Sequence, residues 1–479
     1  MKKVLLLTLL FALVTTLGFS QTGKYWSGST ESRSSIITDK AVARLAYPKE
    51  FKLFNLNIEP LRQELFSIVG NNASRHSTII SLPNVDGQIE DFEVFEASNF
   101  EPALQAQFPQ IRAYSGQGIT NRSATLKISI SPQGIQTMVF RVDKPNEFIE
   151  AYSQDHAVYA VFISHRTAGQ LPWTCTTQDQ QLAAGLNAQV ASTYRPESNA
   201  GQLKTMRLAQ SCNGEYSNFF GAFNATQVAL VLAAYNATLT RCNGCYEKDL
   251  AVHLNLIANT TAVIYYDPAT DPYSTLGNWN LELQATLTSV IGDANYDIGH
   301  MFGASGGGGN AGCIGCVCVS PTTAVPRGKG SGITSPADGI PMGDNFDIDY
   351  VVHEVGHQMG ANHTFSFNLE GTGVNKEVGS GITIMGYAGI TPEDDSSHSI
   401  AYYHEASIQQ IQVNLATKTC PITTDISATN ATPVVAPVPN YNIPISTPFA
   451  LTASATDANP GDVLTYQWEQ NDKDRKSVV

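Results

Sequence analysis

The stretch Asp349-Tyr-Val-Val-His-Glu-Val-Gly-His-Gln-Met-Gly-Ala-Asn-His363 limits what this chain can fold into more than any other part of it. His353 and His357 stand four residues apart, so on a helix they share one face about one turn apart and reach the same point in space. Glu354 lies roughly 100° round that helix from His353, beside whatever the two imidazoles hold. Gly360 is expected to stop the helix, because glycine accepts the left-handed backbone that turns a chain sharply. The turn brings His363 back toward the first two histidines. Three imidazoles with an open fourth position are how zinc is held when water must reach it, and a neighbouring carboxylate is placed to take that water's proton. A lone His-Glu-x-x-His also arises on ordinary amphipathic helices; Gly360 and His363 at these offsets set this one apart.

Downstream, Gly379-Ser-Gly-Ile-Thr-Ile-Met-Gly-Tyr-Ala-Gly389 puts Met385 in a glycine-rich tight turn. Together the two motifs resemble the signature of the metzincin zinc endopeptidases, in which His-Glu-x-x-His-x-x-Gly-x-x-His is followed by a Met-turn. Within that group the chain is similar to the secreted reprolysin-like peptidases of Bacteroidota-type bacteria, over about residues 200–420. The resemblance implies His353, His357 and His363 as zinc ligands, Glu354 as general base and Met385 as the hydrophobic floor under the metal. It also implies Tyr387 as a donor to the oxyanion of the tetrahedral intermediate, the plain alternative being a tyrosine that packs the turn. The specificity pocket is expected from residues 386–403. One position departs: Thr364 follows the third histidine, where animal and venom reprolysins carry Asp.

Ahead of this region, Met1-Lys-Lys and the apolar run after it read as a signal peptide over residues 1–20, too short to span a bilayer. The expected chain is secreted, extracellular or on a bacterial cell surface, with no membrane span. Residues 21–200 are strand-like. Thr78–Gly87 reads as strand and turn, Asp91–Phe95 begins the next strand-like run, and Ala124–Ser131 reads as a strand returning through Pro132-Gln-Gly134 as Ile135–Val142. Their place, and their similarity to the segment preceding bacterial reprolysin-like domains, imply a β-rich propeptide that blocks the cleft until removed. Cys175 is the one cysteine there and a candidate latency switch, its thiolate taking the metal's fourth position; a disulfide is the alternative. The chain's 8 cysteines allow four disulfides in an exported protein, with the pairing open. Cys242-x-x-Cys245 and Cys313-x-x-Cys316-x-Cys318 read as paired cysteines rather than a second zinc or redox site.

Residues 201–422 are expected to form an α+β zincin/metzincin catalytic domain with a mixed twisted sheet, an active-site helix and the Met-turn. Tyr216–Thr240 carries a helical apolar stripe stopped by Asn243-Gly244; Leu250–Ile257 and Ala262–Tyr266 read as strands and Leu281–Ile291 as a helix. The resemblance makes Tyr296–Phe302 the rim strand on which an extended peptide pairs as an added strand. His253 and His300 read as structural, and His398 and His404 as packing groups. Asp344, Asp347 and Asp349 read as carboxylates favouring a helix N-terminus, with Ca2+ the weaker reading.

Residues 423–440 are a Pro-rich linker, and 441–479 look like the start of an incomplete Ig/cadherin-like β-sandwich, with Asp457, Asn459 and Asp462 resembling a calcium loop. The chain is therefore read as multidomain. A net charge of −14 without a Lys/Arg cluster argues against nucleic acid as a partner. Protein or peptide substrates bound as an extended strand by a monomer are expected. The reading from another class is a zinc-containing adhesin or binding protein with an inactive protease-like domain. Glu354 counts against it, since a dead site has no use for the base.

Overall fold

The computed structural model describes residues 23–70, 76–164, 173–178, 201–367 and 374–472. The expected signal peptide lies outside them.

Residues 26–163 build one antiparallel sheet from β1 (Trp26–Gly28), β2 (Lys52–Leu56), β3 (Thr78–Pro83), β4 (Ile89–Glu96), β5 (Arg112–Gly118), β6 (Thr125–Ser131), β7 (Gly134–Phe140), β8 (Glu147–Ala151) and β9 (Val158–Ile163). Their spatial order is β1-β2-β9-β8-β7-β6-β5-β4-β3. Side-chain alternation gives the sheet two faces. On β6, Leu126, Ile128 and Ile130 join Phe92, Tyr114 and Tyr159 beneath Leu61 and Leu65 of α1 (Ile58–Phe66). The polar residues between them, Lys127 and Ser129, look like a solvent face but are buried too. Lys127 Nζ donates to Ser115 Oγ at 2.6 Å and to the Glu247 carboxylate across an interface with the rest of the chain. A short helix, α2 (Pro102–Gln107), links β4 to β5.

From residue 202 the order is β10 (Gln202–Cys212), α3 (Gly214–Phe219), α4 (Val228–Leu250), β11 (Val252–Leu256), α5 (Trp279–Thr286), β12 (Ile298–Phe302), β13 (Gly308–Asn310), β14 (Gly332–Ser335), α6 (His353–Met359), α7 (Glu405–Ala416) and β15 (Ile422–Asp425). The second sheet runs β11-β10-β12-β14-β13, with β15 also on β10. β10, β11, β12 and β14 are parallel, whereas β13 lies antiparallel to β14 and forms the edge. α4 is sandwiched between the sheets. Phe140 and Phe148 from the first share one hydrophobic core with Leu232, Tyr235 and Leu239 of α4 and Met385 beyond it.

Four expectations need correcting. Asn243-Gly244 does not stop α4, which continues to Leu250 and ends at Ala251 in the left-handed conformation, φ +52°. Asn243 instead turns its amide outward to Asn99 Oδ1 (2.9 Å) and Leu254 O (3.0 Å), and a Cβ at Gly244 would come within 2.7 Å of the Phe140 ring. These residues serve packing, not termination. Ala262–Tyr266 is no strand: Thr260–Val263 forms a 3-10 turn, and Ile264 makes a single bridge to Cys212. The strand at Ile298–Phe302 lies inside the sheet between β10 and β14, so the rim is β13, whose Gly-Gly-Asn sequence carries no strand signal. Finally, Cys313 pairs with Cys316 and Cys318 with Cys420, while Cys175, Cys212, Cys242 and Cys245 are free and buried. Cys242 and Cys245 sit within α4, whose core they fill.

Beyond β15 the described chain is mostly exposed and carries one short ladder, Val434–Val435 with Ala455–Thr456. Asp457 Oδ1 accepts from Asn459 N at 2.7 Å in a local turn.

Candidate metal centre

A wide helical coil at Asn345–Val352 leads into α6, which buries all seven of its residues against β14 and α7. Gly360 ends it with φ +131°, its N–H donating to Gly356 O and His357 O. The reversal returns His363 to the helix face, as its spacing predicts. His357 Nε2 lies 3.2 Å from His353 Nε2 and 3.0 Å from His363 Nε2.

The outer nitrogens show what that convergence requires. His353 Nδ1 lies 2.7 Å from Ile384 O, and His357 Nδ1 2.7 Å from Ala361 O. A carbonyl oxygen only accepts, so both Nδ1 atoms carry the proton and both Nε2 atoms present lone pairs. Burial, first, and the neighbouring imidazoles hold the His357 pKa well below its ordinary value, so it stays neutral. Lone pairs facing one another at this range repel unless a cation lies among them. Zinc with nitrogen ligands at about 2.0–2.1 Å sets them about 3.3 Å apart in a tetrahedron, which matches the separations found. The donor set fits zinc.

Cys175 completes the cluster: one donor atom from each of Cys175, His353, His357 and His363 lies within 4.8 Å of the others, and all four residues are buried. Its Sγ is 3.7 Å from His357 Nε2. Burial and the Glu354 charge push the thiol up to about 11, so by itself it is protonated; a cation among the imidazoles reverses that balance. The segment 173–178 lies along β13. Gly309 N donates to Thr174 O at 3.1 Å and Thr176 N to Gly309 O at 2.9 Å, making a parallel bridge between Cys175 and Gly309. Trp173 anchors its start by stacking on Tyr350, centroids 4.3 Å apart.

Glu354 is fully buried beside the cluster, and burial pushes its carboxyl up to about 7. Thr177, which the sequence reading passed over, donates its hydroxyl to Glu354 Oε2 at 2.9 Å and accepts from Ala311 N at 2.8 Å. Met385 packs below α6; a Cβ at Gly356 would lie 2.7 Å from Met385 Sδ, so glycine there admits the turn. Tyr387 stands over His363, ring centroids 4.7 Å apart, and donates its hydroxyl to Cys175 O at 3.4 Å.

Other candidates fall elsewhere. His300 binds Gln358 Oε1 (2.8 Å) and Thr334 Oγ1 (2.9 Å) and is not one of the clustered donors; His253 pairs with Glu247. His404 Nδ1 caps α7 by accepting Ala406 N, and His398 Nδ1 donates to Ser399 O. Asp344 stands at the start of the Asn345–Val352 coil, without a side-chain capping bond, and Asp347 in its first turn, where carboxylates favour the helix N-terminus. Asp347 pairs with Arg241 at 3.0 Å, Asp344 lies 3.6 Å from Arg44, and Asp349 accepts from Ser399 N and Asn345 Nδ2. Residues 202–416 match the family described as Metallo-peptidase family M12B Reprolysin-like. No curated protein matches the chain.

Proposed function

Residues 202–416 are a reprolysin-like metzincin region, and from that premise we propose that this protein is a secreted zinc-dependent endopeptidase made as a zymogen. The observation that carries the reading is the convergence of three imidazole Nε2 atoms beside a buried carboxylate, at a sheet edge already paired with peptide.

His353, His357 and His363 would hold the ion. Zinc there supplies a Lewis acid that makes water a nucleophile near neutral pH. Glu354, its carboxyl lifted toward neutrality by burial, takes the water's proton and returns it to the leaving amine. The Gly309 N–H and C=O, now bonded to Thr174 and Thr176, offer an extended substrate the same main-chain pairing. Tyr387 already donates to a carbonyl oxygen at the residue facing the cluster. A substrate carbonyl in that place receives the same donor, which supports the oxyanion role.

Latency follows from the segment 173–178. Cys175 would supply the ion's remaining ligand, Thr177 holds the Glu354 carboxylate, and the paired edge would exclude substrate. Two disulfides support export. The Ig- or cadherin-like likeness of residues 441–479 is kept as a proposal.

The test is cleavage of unfolded casein by the purified protein before and after limited proteolysis, with a chelator control and Glu354→Ala alongside. Chelator-sensitive activity that emerges on trimming and is absent from the variant is expected. No cleavage under any trimming, with zinc bound, would leave the binding-protein reading in its place.

A further inference from the structure

Glu377 lies outside every motif, yet two segments of the metal centre meet on its buried carboxylate. Oε1 accepts the backbone N–H groups of Ile382 (2.8 Å) and Thr383 (2.9 Å). Oε2 accepts the hydroxyls of Thr383 (2.6 Å) and Thr364. Lys376 N and Glu377 N both donate to Thr364 O, each at 2.9 Å, and Thr364 N donates to Met385 O at 3.1 Å. Among the described residues, no ion pair meets this charge; hydrogen-bond donors do.

What those segments carry gives the carboxylate its meaning. Thr364 immediately follows His363. Ile382 and Thr383 open the turn in which Ile384 O holds His353 Nδ1 and Met385 supports α6. One side chain therefore fixes the third histidine's segment against the turn that orients the first histidine's ring. It does so where the position after His363 bears a hydroxyl rather than a carboxylate. The loop is tight around it: a Cβ at Gly381 would stand 3.1 Å from Glu377 Cδ.

We propose that Glu377 is a positioning residue of the metal centre, holding His353 and His363 in mutual register through Thr364 and the Ile382–Met385 turn. The assignment rests on the zinc reading above. Removing the carboxylate leaves two backbone N–H groups and two hydroxyls without their acceptor, so both segments gain freedom. Groups that orient metal-binding histidines from one shell out are worth about 10–100-fold in metal affinity or activity.

The test uses the full chain. Zinc affinity is measured by competition with a chelating indicator, and the visible spectrum of the cobalt-substituted protein reports ligand geometry. Glu377→Ala should weaken zinc binding about 10–100-fold and shift the cobalt bands. Glu377→Gln keeps one acceptor oxygen and should lose less. Thr364→Asp in the Glu377→Ala background puts a carboxylate within reach of the Thr383 hydroxyl and should recover most of the affinity. If Glu377→Ala lowers only the melting temperature, with zinc affinity and cobalt spectrum unmoved, the residue merely stabilises its loop and the assignment is wrong. Should the alanine variant not fold, Glu377→Gln decides, and wild-type affinity with a wild-type spectrum overturns the proposal. A wild-type chain that binds no zinc would instead remove the metal centre itself.

Discussion

Gly309 and Glu354 show how little room the candidate site leaves. A Cβ at Gly309 would come within 2.7 Å of Glu354 Cδ and Cγ, so Gly309→Ala must displace the carboxylate proposed as base. A displacement near 1 Å costs about 100-fold in rate, and we expect that loss in kcat of the trimmed enzyme with zinc content unchanged. Glu354→Gln keeps the shape and removes the base, which predicts a fall of about 10²–10⁴-fold in casein cleavage. On the latent side, a hydrogen bond to a charged group is worth about 1.5–3 kcal/mol. Thr177→Val should therefore raise activity before trimming by about tenfold or more, and Cys175→Ala further still. Equal latency in all three chains would show that main-chain pairing alone closes the cleft. The three histidines, Glu354 and Gly360 were legible because helical spacing and one glycine turn bring them together, and Met385 because its glycine-rich turn resembles a Met-turn. Thr177, Gly309 and Glu377 were not, because each acts across a fold whose closure no local pattern encodes.

At the scale of elements, sequence pattern failed wherever packing outweighed propensity. Asn243-Gly244 looks like a terminator, but within α4 the asparagine bonds to Asn99 and Leu254 and the glycine admits Phe140. β13 is three residues of Gly-Gly-Asn, recognisable as a strand only through its ladder with β14. Lys127 and Ser129 alternate with apolar residues as on a solvated face, yet that face docks on α4. This docking carries a pH signature. Burial would raise the Glu247 carboxyl, but the hydrogen bond with His253 and the charge of Lys127 outweigh it and bring the group down to about 2. A carboxylate depressed on folding contributes stability that is complete above its unfolded pKa of about 4.5 and lost as pH falls through about 2. In urea titrations, wild type should lose roughly 2–3 kcal/mol more than Glu247→Gln between those limits. Parallel curves for the two would exclude the contribution.

The whole molecule is knit across the boundary between its two sheets. Arg241 on α4 pairs with Glu150 of β8 (2.8 Å) and Asp347 (3.0 Å), while Arg44 pairs with Glu150 at 2.7 Å, all of them buried. Arg241→Met should cost about 3–5 kcal/mol in a denaturation experiment, because it strands buried carboxylates. A cost below 1 kcal/mol would mean that water reaches the network. The β-rich first part and the α+β second part were legible from strand alternation and helical spacing; the core they share was not, since partners such as Phe148 and Leu232 are far apart in the chain and no local pattern joins them. That shared core sets the segment 173–178 over the cleft, where three imidazoles and one thiolate would make a single closed centre. X-ray absorption at the zinc edge of the untrimmed chain tests it most directly. Three nitrogens at about 2.0–2.1 Å and one sulfur at about 2.3 Å are expected, the sulfur lost in Cys175→Ala. A first shell of nitrogen and oxygen without sulfur would contradict it.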